Sequence, residues 1–219
     1  MAVQVASQDV DTRISVARAG TGLLTALNRQ SERSTMKNKQ RLAILVAATT
    51  TTLACLFTPA WAAELPADVQ AKVEKAKKRL AELAADPAVV AAVREANTRD
   101  VGGMTNGKWI ELGDTDPAIK GLVGSKISAQ ISKWEQADDT VNKMLLRDQK
   151  GNLVGASVRP LIFNNANRPV FSNAIKGQVW AAGEIKPDTT TQIPSVHVAA
   201  PVMDGGKPIG VLHAGVTAK

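Results

Sequence analysis

The segment Ile193–Thr217, IPSVHVAAPVMDGGKPIGVLHAGVT, constrains this chain more than any other. Two runs rich in Val, Ile and Leu, Ser195–Met203 and Ile209–Thr217, flank Asp204-Gly205-Gly206-Lys207-Pro208. β-Branched runs favour strands, and Asp-Gly-Gly supplies the positive φ of a tight reversal, so the segment predicts a hairpin. Each arm is apolar almost throughout instead of alternating, which predicts a central hairpin covered on both faces. Val141–Arg159 repeats the design, with strands 141–147 and 153–158 around Asp148-Gln149-Lys150-Gly151-Asn152. Helical segments precede both hairpins and a polar insert separates them. The expected fold class is α+β: an antiparallel or mixed sheet, with helices on it and a long helix at its N-terminal side.

That long helix is predicted over Pro66–Ala85. Val69, Val73, Ala76, Leu80 and Leu83 recur at 4-3-4-3 spacing, a narrow apolar stripe. Lys72, Lys75, Lys77, Lys78 and Arg79 take the other faces, where they read as a solvated surface. The stripe can pack on the sheet or on a partner helix; five positions do not decide between the two. Asp86-Pro87 caps and opens a second helix, Ala88–Asn97. Trp109-Ile110 is expected as a brief strand in a loop-rich stretch, and Pro117–Ala137 as one helix weakened by Gly121 and Gly124. Val179–Glu184 is a further expected strand.

Upstream of residue 63 the sequence has a different character. Met36–Arg41 is basic, Leu42–Phe57 is apolar, and Ala60-Trp61-Ala62 places small residues at −3 and −1 of a cleavage site. Together they predict a secretory signal peptide over 36–62, cut after Ala62. A membrane anchor is the competing reading, but the run is short for a bilayer and contains Thr49–Thr52. Thr52-Leu53-Ala54-Cys55 resembles a lipoprotein box only in part. Residues 1–35 then read as an over-extended start or an unstructured extension, and residues 63–219 as the single mature domain, periplasmic or secreted. Charge supports this division. Net charge is +7, but residues 1–62 hold seven Lys/Arg against three acids, leaving 20 against 17 in the rest. A mature excess of three is no argument for nucleic acid. One cysteine, Cys55, excludes an intrachain disulfide and a thiolate metal cluster.

No catalytic constellation emerges. The sequence has no GxSxG, Walker loop, GxGxxG or haem-attachment motif. Asp148 and Asp204 sit in turns, where local hydrogen bonding alone favours Asp. His197 and His213 stand at matching depths of the closing strands, and pairing about Gly205 would set them face to face. They can be structural, contact a ligand, or ligate a metal, although neither strand supplies an acid or thiol to complete a metal set. No cofactor or metal is expected.

"LRDQKGNLVGAS", then "FSNAIKGQVW", then "SVHVAAPVMDGGKPIGVLHAGV" resembles the Cache domain, a PAS-like periplasmic sensor, over roughly Pro66 to Val216. The resemblance implies a PAS-like fold that holds a small solute against the sheet under the segment between the hairpins, here Arg159–Asp188. The polar and aromatic stock of that lid is Arg159, Asn165, Arg168, Phe171, Lys176, Trp180 and Asp188. Ligand-binding candidates are Arg168, Lys176, Trp180 and Asp188, with His197 from the sheet. A cation beside Trp suits a small, anionic ligand such as a carboxylate. Amino-acid-binding members use several Tyr in the pocket, and this chain has none, which sets it apart from that ligand class. Family members drive a cytoplasmic output module. Here the sequence ends three residues past Val216, so occupancy is expected to pass to a partner, such as a membrane receptor or a second copy joined through the Val69–Leu83 stripe. The rival readings are a periplasmic enzyme or accessory subunit using His197 and His213, and a scaffold protein without ligand.

Overall fold

In the computed structural model, residues 64–219 are described. The expectations for residues 1–35, for the leader 36–62 and for Cys55 fall outside the described residues.

The closing hairpin forms the middle of the sheet. β5 (Pro194–Asp204) and β6 (Lys207–Thr217) meet at a two-residue turn, with Gly205 at φ 54° and Gly206 at φ 80°. Two successive left-handed residues define the turn whose twist matches paired strands. Close to it, Val202 opposes Gly210 while Met203 opposes Pro208, so Ile209 is the extra residue of a bulge. β1 (Val141–Asp148) pairs with the other side of β6, and β2 (Leu153–Ala156) pairs with β1. Two short strands, β3 (Trp180–Ala181) and β4 (Lys186–Pro187), both pair with β5. The order is β2-β1-β6-β5-β3 with β4 off that path. Every pairing among the described residues is antiparallel, so the mixed alternative is discarded and the α+β class stands.

Helices cover one face of this sheet. α1 (Ala67–Ala84) lays Val69, Val73, Ala76, Leu80 and Leu83 onto Val196, Val198, Ala200 and Val202 of β5 and Leu212, Ala214 and Val216 of β6. Burying each Val or Leu is worth roughly 1.5–3 kcal/mol, so this stripe anchors the domain. It also settles the stripe's use. Its five residues are consumed by the chain's own core, and a second copy cannot be joined through them. α2 (Pro87–Thr98) opens on Asp86, whose side chain accepts the Ala88 N–H at 2.8 Å, and adds Val89 and Val93 to the same core.

Three expectations from the sequence are corrected in the helical region and insert. Trp109-Ile110 belongs to a helix, α3 (Asn106–Glu111), capped by Thr105. Trp109 is buried there because its indole N–H donates to Pro160 O at 2.7 Å, a partner no strand was needed to supply. The single helix over Pro117–Ala137 is two, α4 (Pro117–Val123) and α5 (Lys126–Gln136). Gly124 ends the first, and the Ser125 hydroxyl accepts the Ser128 N–H to start the second. The expected strand Val179–Glu184 shrinks to β3, since Gly183 and Glu184 disfavour further strand. Before it lie a short helix, α6 (Pro169–Ser172), and a 3-10 turn, Ala174–Lys176. Among the described residues, no helix is long and apolar enough to cross a membrane.

Candidate ligand-binding site

Side chains alternate across a strand, so residues two apart share a face. In β1, Met144 and Leu146 point to the helices, which leaves Lys143, Leu145 and Arg147 on the other side. In β6, Val211 and His213 share that side, as do Ser195, His197 and Ala199 of β5. The insert 157–193 folds over this second face. Val170, Phe171 and Ala174 pack on Ala199 and Val211, fastening the insert at one end. Between sheet and insert remains a cavity of about 300 Å³. Its walls include Lys143, Arg147, His197 and His213 from the sheet and Asn165, Arg168 and Trp180 from the insert.

The charged groups here are deeply placed. Arg147 is 1% exposed and Lys143 3% exposed. Arg147 donates through Nη1 to Phe163 O and through Nη2 to Ile162 O at 3.3 Å, while its Nε has no partner. Burial pushes its pKa down to about 9, opposed in part by Asp148, so it stays charged at neutral pH. Lys143 donates to Asp188 Oδ2. Burial lowers the Lys143 pKa, and its ion pair with Asp188 offsets part of that.

Asp188 is fully buried and has both oxygens engaged. Oδ1 accepts the Thr190 N–H at 2.8 Å and the Thr191 N–H at 3.0 Å; Oδ2 takes Lys143 and His197 Nε2, the latter at 2.8 Å. Burial alone would raise its pKa. Hydrogen bonds from His197, Lys143 and the Thr191 N–H outweigh burial and hold it well below the carboxylate range. Asp188, which is not among the cavity walls, is thus a structural anion behind Lys143 and His197. His213 is 4% exposed, and neither ring nitrogen has a partner. Burial, reinforced by nearby Arg147, Lys143 and His197, keeps it well below the usual histidine value and therefore neutral.

The residues expected from the sequence are placed unevenly. His197, Trp180 and Arg168 reach the one cavity, Arg168 from an exposed position at its rim. Trp180 serves twice, as cavity wall and as a neighbour of the Val170–Phe171 cluster. Asp188 lies beneath the cavity instead of facing it. Lys176 is not brought to the site: it ends the 3-10 turn, exposed and outside the cavity walls. Arg159 is likewise elsewhere, 5.3 Å from the Trp109 ring centroid and paired with Asp114. The two histidines do not face each other. The turn centres between Gly205 and Gly206 instead of on Gly205, and the bulge at Ile209 shifts the pairing by one residue more, so His213 opposes Ala199 and His197 opposes Gly215, which makes the histidines diagonal neighbours on one face. Among the described residues, no group of three or more His, Cys, Asp or Glu could hold a metal ion.

Lys143 and Arg147 were not singled out from the sequence. Their signal was there in the alternation of VNKMLLRD, where two cations share the face opposite Met144 and Leu146.

No family model matches the sequence, and no curated protein matches it either. Among solved structures, the chain is similar to the sensor domain of the V. cholerae histidine kinase DctB (18% identity, 68% of this chain, 50% of that one, TM-score 0.48). It is also similar to the E. coli DcuS sensor domain (17% identity, 65% of this chain, 92% of that one, TM-score 0.36). A third likeness is to the sensory domain of the Campylobacter jejuni chemoreceptor Tlp3 with isoleucine bound (12% identity, 68% of this chain, 62% of that one, TM-score 0.36). The match spans half of the DctB sensor domain's own length. The α+β assignment rests on this chain's own strand order.

Proposed function

We propose that the domain is an exported sensor that binds a small anion between sheet and insert and passes occupancy to a partner protein without transforming the ligand. The observation that carries this reading is Arg147, a cavity-lining guanidinium, almost wholly buried, with an unpartnered Nε. A buried charge costs several kcal/mol unless it is paired and hydrogen-bonded. Main-chain carbonyls meet part of that need at Arg147, and a bound anion meets the rest. Lys143 is already matched by Asp188, while Arg168 at the rim favours entry of negative charge. The Cache resemblance of the sequence supports the same reading. The partner is a membrane receptor or a second copy docked away from the α1 stripe.

The test is a thermal-shift screen of small carboxylates and their neutral amides against the purified protein and its Arg147→Met variant. A ligand at 100 times its dissociation constant adds about 2.7 kcal/mol of stability. Anions should raise the melting temperature, amides should not, and Arg147→Met should abolish the rise. A panel without any responsive anion, or a rise that Arg147→Met leaves intact, overturns the reading. Export has its own test. N-terminal sequencing of the native protein should begin Ala-Glu-Leu-Pro, from Ala63, and recovery of intact residues 1–62 from the cytosol refutes it.

A further inference from the structure

Four buried polar atoms among the described residues have no hydrogen-bond partner: Arg147 Nε, Asn165 Oδ1, and His213 Nδ1 and Nε2. All three residues line the one cavity between sheet and insert. Folded proteins leave few such groups, so their concentration in one place describes what the cavity is built to receive. Two of the atoms are donors. Arg147 Nε carries a hydrogen, and a neutral imidazole carries one N–H. The other two are acceptors, Asn165 Oδ1 and the unprotonated His213 nitrogen.

Charge narrows the class further. Lys143 and Asp188 cancel as a buried pair, which leaves Arg147 as the cavity's buried cation without an ion pair among the described residues. Arg168 and Lys186 also stand on the wall, but both are exposed and Lys186 is paired with Glu184, so within the buried part of the cavity one negative charge on the ligand balances Arg147. The acceptors require a donor on the ligand as well. An ammonium would need a carboxylate, but Glu184 on the wall is exposed and paired with Lys186, and Asp188 behind the wall already takes four contacts, two on each oxygen. A neutral hydroxyl has no such need. The volume, about 300 Å³, lies at the small end of ligand pockets, roughly 300–1,000 Å³.

We propose that the cavity selects a short hydroxylated monocarboxylate, such as a 2-hydroxy acid, its carboxylate accepting from Arg147 Nε and His213 and its hydroxyl donating to Asn165 Oδ1. This rests on the anion-binding reading above and names its ligand class.

Titration calorimetry on the purified protein tests it with lactate, glycerate, propionate, alanine and succinate. Lactate or glycerate should bind at least about tenfold tighter than propionate, the effect of one buried hydrogen bond. Alanine and succinate should be weaker than lactate by a similar factor. Asn165→Ala should bring lactate down to the affinity of propionate while leaving propionate unchanged. Propionate equal to lactate, or succinate or alanine binding tightest, overturns the hydroxy-acid class. If Arg147→Met still abolishes that binding, the anion-binding reading stands without it. Absence of binding by all five compounds and by the wider carboxylate panel overturns both. The lactate-to-propionate ratio in the unaltered protein decides the matter even if Asn165→Ala fails to fold.

Discussion

The ammonium of Lys143 donates to the carboxylate oxygen of Asp188 that also receives His197 Nε2, so one buried oxygen ties β1, β5 and the insert together. Removing the acid strands a buried ammonium. Asp188→Ala should therefore destabilise the domain by about 3–5 kcal/mol in urea unfolding, the cost of breaking a buried pair from one side. Lys143→Met combined with Asp188→Leu should recover much of that loss, because both charges are then gone. A double variant as unstable as the sum of the single ones would show that the two residues act independently.

Acid should act first through His213. The unfolded chain takes up its proton near pH 6.5, whereas folded His213 is held neutral by burial and by Arg147, Lys143 and His197. The unfolded state then binds the extra proton, so stability falls as pH drops below that value, approaching about 1.4 kcal/mol per unit. Asp188, with its lowered pKa, contributes stability that is intact above about pH 4 and is lost only as pH falls through its folded value. Urea unfolding between pH 7 and pH 5 should show the His213 slope, and His213→Phe should flatten it.

The turn at Gly205-Gly206 holds two left-handed residues. Valine at both positions should cost about 2–4 kcal/mol, since a left-handed conformation costs each ordinary residue roughly 1–2 kcal/mol. Lys207→Ala, at an exposed position, should fall within about 0.5 kcal/mol of the parent. Equal effects in thermal unfolding would contradict the turn.

Gly210 offers a sharper case. A Cβ there would lie 2.4 Å from Arg147 O and 2.6 Å from Val93 Cγ1, where β6, β1 and α2 crowd together. Gly210→Ala should destabilise by about 1–3 kcal/mol, as overpacking does, although the substitution is conservative by any composition scale.

Lys176 and Arg147 separate the two pictures of the site. Lys176→Ala should leave both stability and ligand-induced melting shifts unchanged, since Lys176 is exposed and outside the cavity. Arg147→Met should remove the shift while leaving the ligand-free protein as stable or more so, because an incompletely paired buried charge is replaced by an apolar side chain of similar length.

These contrasts also mark what was readable in the sequence. The hairpin Ser195–Thr217 and the Val69–Leu83 stripe were plain because burial on both faces, or on one helical stripe, leaves a periodic trace in residue type. Trp180, Arg168 and His197, which lie on the cavity wall, could be picked out as candidates because they stand out against their surroundings. Lys143 and Arg147 were passed over because a strand read as apolar was not resolved into its two faces. The register of His213 was missed for a different reason: Asp-Gly-Gly does not say on which residue the turn centres, and the bulge at Ile209 leaves no mark in Lys207-Pro208-Ile209-Gly210 that composition could reveal. Trp109 was misplaced because its partner, Pro160 O, is 51 residues away in the chain.

β3 and β4 hold the insert to β5 with two residues each, while β5 and β6 meet in ten residue pairs. Opening free energy is therefore graded across the domain. Releasing the insert breaks a few edge hydrogen bonds, the small Val170–Phe171–Ala174 cluster and the contacts of Asp188, and leaves the central hairpin intact. Amide protons of β3 and β4 should exchange through this partial opening, and those of β5 and β6 only on global unfolding. For the ligand proposed above, exchange with solvent should then follow the weakly held insert and the exposed rim at Arg168, not the lifetime of the folded sheet.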